Sequence, residues 1–262
     1  MTMKISIIGA GAMGGAIAEG LLKLDGFAAA NLTVCDHNKP VLEHFAALGA
    51  KAVADNKEAA KEADMVCIVV KPWHVEKTLK GIKDSLDYSR QTLVVVAAGV
   101  SSDNILSWMD SDGKVPQLIL AMPNIAIAYK ASMTYLTNVN ADTATADNIE
   151  GLFNSLGETV IIDEDHYPAA TALSCSIAFA MRYVRANIEG AVEIGFKAKA
   201  AQKIVLQTIK GAVELLQATG EHPESAIDKV TTPGGLTIRG LNEMEHNGFT
   251  SAVIKGIKAS KV

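Results

Sequence analysis

The alternation of apolar and polar positions divides this chain in two. Up to about residue 163, short apolar runs alternate with amphipathic stretches. Residues 4–8, 32–35, 65–70, 93–97 and 118–122 are rich in Val, Ile and Leu and bounded by polar, Gly or Pro positions, which predicts buried strands. Between them, Met13, Ile17, Leu21 and Leu24 recur at spacings of 4, 4 and 3, one face of a helix. Helical patterns also cover residues 39–48, 57–62, 73–82 and 102–109. Strand–helix alternation of this kind implies right-handed crossovers and a parallel, doubly wound sheet. Residues 133–137 are a candidate extra strand, 141–156 a helix stopped by Gly157, and 159–162 a last strand before Asp163-Glu164-Asp165.

Beyond residue 165 only helical patterns remain: 168–196, 200–219 closed by Gly220, 222–230, 236–246 and 249–258. The first is apolar or small on most sides. A helix apolar all round is buried in an interior or at a subunit interface, and little chain is left to surround it. The pattern therefore predicts a homodimer in which the C-terminal helices of two chains interlock.

Composition narrows the picture. The chain is 49% hydrophobic but only 5% aromatic, so its core is aliphatic and alanine-rich. A net charge of −5 and the lack of a basic run exclude a nucleic-acid partner. Cys35, Cys67 and Cys175 are too few and too far apart for a disulfide frame, and the histidines lack ligand spacing, so no metal is expected. Cys35 and Cys67 fall in strands, as buried small hydrophobes. Residues 5–22 mimic a cleaved leader, but their glycines fall where a strand-to-helix turn needs them and Glu19 interrupts the apolar run. No stretch reaches the length of a membrane span, and a cytoplasmic protein is expected.

Two glycine-bearing turns carry the candidate chemistry. Gly9-Ala10-Gly11-Ala12-Met13-Gly14 fits G-x-G-x-x-G between a strand and an amphipathic helix. That is the context in which such a turn cradles a dinucleotide pyrophosphate at a helix N-terminus. Residues 1–163 then read as a Rossmann-type dinucleotide-binding domain, and 164–262 as a helical dimerisation and substrate-binding domain. Asp36 ends the second strand, where an acid holds a ribose 2′-hydroxyl and favours NADH; as a turn or cap residue before Pro40 it has a second, equally ordinary role. His37, Asn38 and Lys39 follow it and soften the NADH preference. The other strand ends of such a sheet line the cofactor crevice: Val69-Val70-Lys71-Pro72, Val96-Ala97-Ala98-Gly99 and Met122-Pro123-Asn124. About 220 residues downstream of the first turn, Val230-Thr231-Thr232-Pro233-Gly234-Gly235-Leu236-Thr237-Ile238 combines two glycines with three hydroxyls between helices. It offers backbone N–H groups to a small anion and hydroxyls to a polar ring atom.

In this order and spacing the motifs resemble those of pyrroline-5-carboxylate reductases, over nearly the whole chain. Besides the second turn, the resemblance rests on His222-Pro223 and Asp228, on Met122-Pro123-Asn124 followed by Met133-Thr134, and on Val70-Lys71-Pro72. Gln207-Thr208 with Gly211-Ala212, and Asp55-Asn56-Lys57-Glu58, add to it. It implies reduction of 1-pyrroline-5-carboxylate, a cyclic imine carboxylate, to L-proline, with NADPH slightly preferred as donor and NADH as the alternative. Asn56 would reach the adenosine side of the cofactor. Thr232 and the N–H groups of Gly234, Gly235 and Leu236 would take the substrate carboxylate, and Thr237 would contact the ring nitrogen as the catalytic hydroxyl. A homodimer is implied, with a ring of dimers as the larger assembly. The chain departs from the family where Leu120-Ala121 replace an expected Arg, Ile125-Ala126 a Thr-Pro, and Ile227 a Lys. It also departs at Arg185, where a Glu is expected, and at Ser174-Cys175-Ser176-Ile177-Ala178-Phe179, which stands for a longer Gly-rich segment. The alternatives are a related imine or hydroxy-acid oxidoreductase and a non-catalytic dinucleotide-binding protein. The long helix lacks the lysine that the hydroxy-acid branch carries. Arg182 and Arg185 read either as substrate contacts or as ion-pair partners of the helix's own glutamates, the second being favoured.

Overall fold

The computed structural model describes residues 3–261. The chain forms two compact units, residues 3–174 and 175–261.

In the first, eight strands form one sheet: β1 (Ile5–Ile8), β2 (Leu32–Cys35), β3 (Lys51–Val53), β4 (Met65–Ile68), β5 (Thr92–Val95), β6 (Gln117–Met122), β7 (Ser132–Asn138) and β8 (Gly157–Ile161). Their order is β3-β2-β1-β4-β5-β6-β7-β8. The helices α1 (Ala12–Leu22), α2 (Lys39–Ala47), α3 (Asn56–Lys61), α4 (Pro72–Ile82), α5 (Ser102–Met109) and α6 (Thr143–Asn154) connect them. Local chemistry sets several starts: Asp55 accepts the Lys57 and Glu58 N–H groups at α3, and Asp142 accepts the Thr145 N–H at α6. Proline occupies the first turn of α2 and of α4.

Every residue of β1, β4 and β5 is buried, as helices on both faces of a sheet require. Strand alternation sends Ile5 and Ile7 to one core with Ile17, Leu21, Phe45 and Phe153, and Ile8 to the other with Val66, Ile68, Val75, Leu79 and Ile105.

The sheet differs from the sequence expectation in two ways. β3 is an additional edge strand, too short to leave a pattern. And the sheet is not parallel throughout: β7 runs antiparallel to β6, with β8 parallel to β7. The cause is the connection. Only a 3-10 turn, Ile125–Tyr129, separates β6 from β7, and without a crossover helix the chain returns antiparallel. Lys130 turns the corner at φ 57. The turn is clamped onto α1: a Cβ at Gly20 would lie 2.4 Å from the Ile127 carbonyl oxygen, and Lys23 Nζ donates to the Ala128 carbonyl at 2.6 Å.

Cys35 and Cys67 are buried. Burial pushes the Cys67 thiol up from 9.0 to about 12. The unfolded chain then loses this proton near pH 9 while the folded chain keeps it. The resulting stability is present below pH 9 and is lost as pH rises toward 12. Urea melts from pH 8 to 11 should show a falling midpoint whose slope Cys67→Ser reduces, the buried Cys35 thiol contributing part of the remainder; an unchanged pH slope in that variant would refute the assignment.

The second unit is helical. α7 (Tyr167–Glu193) starts in the first unit, and α8 (Ala198–Thr219), α9 (Pro223–Val230), α10 (Leu236–His246) and α11 (Phe249–Ala259) follow. α7 stops short of the predicted end because Gly195 adopts φ 108. Within one protomer this unit leaves large apolar side chains in solvent, among them Met181, Val192, Phe196, Val213 and Leu215, with Ile194 at 78% exposure. Among the described residues no helix is long and apolar enough to cross a membrane.

Candidate functional site

The first site grows from the glycine turn. Strand β1 delivers Gly9 at φ 96, where a Cβ would lie 2.6 Å from the Val69 carbonyl oxygen. A Cβ at Gly14 would lie 1.9 Å from the Gly9 carbonyl oxygen, so α1 packs against the turn at a distance only glycine allows. Gly11 differs: a Cβ there meets no protein atom within 4 Å. Two glycines are demanded by the protein itself, and the third leaves space for a group from outside it. A pyrophosphate lying against the α1 N-terminus, whose first N–H groups have no side-chain cap, is such a group.

The turn opens on a cleft of about 900 Å³ at the C-terminal ends of β1, β2, β4 and β5. It is lined by Gly9, Gly11, Ala12, Met13, Asp36, Asn56, Val69, Val70, Lys71, Pro72, Val96, Ala97 and Ala98, which the sequence had singled out. Six others named with them, Ala10, Gly14, Gly99, Met122, Pro123 and Asn124, are not part of the lining. Ala10 and Gly14 are buried beneath the turn. Asn124, at the end of β6, is outside the lining: its Oδ1 accepts the Ala126 N–H at 3.0 Å and its own N–H donates to Ser132 Oγ at 3.1 Å. The lining also includes Ala54, His74, Lys77, Thr78 and Gly81, which sequence reasoning did not assign. The signal was available for α4: His74, Lys77, Thr78 and Gly81 share a helical face at the sheet's switch point.

Two side chains in the cleft are held by specific bonds. Asp36 Oδ2 accepts the Ala10 N–H and Oδ1 accepts the Asn38 N–H, each at 2.8 Å, so this carboxylate braces the glycine turn. Asn56 Oδ1 accepts the Cys35 thiol at 3.1 Å, which fixes the amide and leaves its NH₂ to donate. Burial, with Asp36 as the next cause, pushes that thiol up to about 12 and keeps it neutral.

The second site lies in the helical unit. Between α9 and α10, Gly235 N–H donates to the Thr232 carbonyl at 2.9 Å, and Gly234 takes φ 70. A Cβ at Gly235 would meet Thr232 Oγ1 at 2.4 Å and the Thr232 carbonyl oxygen at 3.0 Å, so the turn is close and a side chain there would force the Thr232 hydroxyl to rotate away. No side chain caps α10, and Thr232, Gly234, Leu236 and Thr237 are exposed, with Leu236 at 83%. The first N–H groups of α10 therefore face outward without helical partners, beside two hydroxyls. The arrangement suits a small carboxylate with a polar atom next to it.

The segment that departs from the expected motif begins at Ser174, whose hydroxyl donates to the Pro123 carbonyl at 3.4 Å. Arg185 Nε pairs with Glu189 Oε1 at 2.8 Å, both side chains more than half exposed.

A doubly wound sheet with a glycine turn against a helix N-terminus, an open cleft at its strand ends and a second turn with hydroxyls at a helix start form the architecture of a dinucleotide-dependent oxidoreductase. A family model described as pyrroline-5-carboxylate reductase dimerisation matches residues 164–262, and one described as NADP oxidoreductase coenzyme F420-dependent matches residues 4–99. The chain is 36% identical to pyrroline-5-carboxylate reductase 2 of Dictyostelium discoideum over 98% of its length and 90% of the relative's. It is 31% identical to the Methanosarcina acetivorans pyrroline-5-carboxylate reductase over 98% and 97%. Against Dictyostelium pyrroline-5-carboxylate reductase 1 it is 38% identical but spans only 48% of that protein's length. Among solved structures, the Coxiella burnetii pyrroline-5-carboxylate reductase matches with TM-score 0.86 at 26% identity, covering 99% of this chain and 96% of that one. The chain belongs to the pyrroline-5-carboxylate reductase family.

Proposed function

We propose that the protein reduces 1-pyrroline-5-carboxylate to L-proline with NADPH as donor. The observation that carries this reading is the pair of sites. One is a cleft whose Gly11 faces open space at a helix N-terminus; the other is an uncapped α10 N-terminus flanked by Thr232 and Thr237. The bound cofactor supplies the hydride. The protein's own groups position and stabilise. Gly11, Ala12 and Met13 present backbone N–H groups to the pyrophosphate, and Ala97 and Ala98 leave space for the nicotinamide ring. Thr232 and the N–H groups of Gly234 and Leu236 bind the substrate carboxylate; the Gly235 N–H, named with them from the sequence, is taken by the Thr232 carbonyl inside the turn. The Thr237 hydroxyl hydrogen-bonds the ring nitrogen, which must gain a proton as its carbon gains hydride. A hydroxyl is a weak acid, so Thr237 orients the nitrogen or relays a proton from water.

The active species is a homodimer. The apolar side chains that the helical unit leaves in solvent support this, as does the dimerisation description of the matching family model. We place the enzyme in the cytoplasm. The test is oxidation of NADPH by the purified protein with racemic 1-pyrroline-5-carboxylate, followed at the nicotinamide absorbance, with proline identified as product. Cofactor binding without turnover would overturn the reading.

A further inference from the structure

We propose that Lys57 on α3 and Lys77 on α4 form the pocket for the cofactor's 2′-phosphate and so set its preference for NADPH over NADH. The proposal rests on the dinucleotide reading of the cleft. Both lysines line it.

Ion pairing among the described residues leaves both available. The acid beside Lys57 in sequence, Glu58, is turned to Lys51 at 3.0 Å. The acid beside Lys77, Glu76, is turned to Lys80 at 2.6 Å. The two carboxylates lining the cleft are committed as well: Asp36 to the Ala10 and Asn38 N–H groups, and Asp55 to the N–H groups of Lys57 and Glu58. The cleft thus has its acids satisfied by backbone donors and two lysines without a counter-charge.

The glycine turn already provides for one anion, the pyrophosphate, with backbone N–H groups. A second set of cations in the same cleft, on different elements, has no use in a cofactor with a single anionic centre. NADPH carries a second one. Asp36 stands where an acid would repel that group, but its oxygens receive two N–H bonds from the turn it braces, which offsets its charge. Discrimination then falls to α3 and α4. Lys71 also lines the cleft, but at the head of α4 beside Pro72 it belongs with the strand ends and carries no part of this proposal.

The test uses binding, apart from turnover. The full-length protein, Lys57→Ala, Lys77→Ala and the double variant are titrated with adenosine 2′,5′-bisphosphate and with adenosine 5′-monophosphate by calorimetry. Each single variant should weaken the bisphosphate by roughly tenfold, the loss of one charge-assisted contact. Affinity for the monophosphate should stay within about twofold, which also verifies the fold of each variant. Lys77→Arg should retain most of the bisphosphate affinity. Equal loss of both ligands, or loss of neither, would overturn the assignment while leaving the reductase reading intact. A wild-type protein that binds neither nucleotide would overturn both. Intact discrimination without imine reduction would support this proposal and count only against the substrate.

Discussion

Gly11→Val leaves the thermal midpoint within a few degrees of the parent but weakens NADPH by roughly two orders of magnitude, whereas Gly14→Ala lowers the stability itself. The contrast follows from what each new side chain meets. Gly11 has an ordinary φ of −66 and empty space around its Cβ position, so the folded protein accepts a side chain there. On the proposed reading, that space is where the pyrophosphate lies to reach the α1 N–H groups. Displacing it forfeits two or more charge-assisted hydrogen bonds of about 1.5–3 kcal/mol each. At Gly14 the obstacle is the Gly9 carbonyl oxygen at 1.9 Å, a backbone atom that cannot rotate away. Relief requires α1 to move off the sheet, at a cost on the order of 3 kcal/mol. Thermal melts without ligand and calorimetric titration with NADPH separate the two effects. A Gly11→Val protein that binds NADPH normally would mean that the cofactor does not cross this turn.

Thr237→Val should cut kcat/KM for the imine roughly 10- to 100-fold while leaving the NADPH dissociation constant and the thermal midpoint unchanged. The substitution keeps the shape and removes the hydroxyl. Thr237 is exposed in the first turn of α10, so little folding energy depends on it. On the proposed reading, what is lost is a hydrogen bond to a ring nitrogen whose charge changes during reaction. The effect should therefore fall mainly on kcat rather than on KM. Thr232→Val, by contrast, should raise KM, because a carboxylate contact is the same before and during hydride transfer. If Thr237→Val raised KM alone, the hydroxyl would be a binding group and the nitrogen would take its hydrogen bond elsewhere.

Much of this was legible in the sequence because it depends on local pattern. The fully buried strands β1, β4 and β5 appear as short, mostly apolar runs, and G-x-G-x-x-G marks the turn from β1 into α1. What escaped depends on contacts between distant residues. The reversal of β7 rests on Lys130 at φ 57 and on the Ile127–Gly20 approach, and neither has a one-dimensional signature. Asp36 had two readings at the sequence level. Its bond to Ala10, 26 residues away, ties it to the turn, and only the fold brings them together. Lys77 resembled any lysine on an amphipathic helix until α4 was seen to border the cleft. The second turn was legible as a motif, but its closeness, with the Gly235 N–H bonded to the Thr232 carbonyl, is visible only in the fold.

The clasp of α1 on the β6–β7 corner has a consequence for how the cleft tolerates change. One end of α1 carries the N–H groups of the glycine turn. The other grips the Ile127 and Ala128 carbonyls that follow Met122-Pro123-Asn124. Its 11 residues make a rod about 16 Å long. The helix acts as a gauge: the spacing between the two strand ends is a helical length and does not depend on the loops between them. Loops between these elements can lengthen or shorten without altering that span.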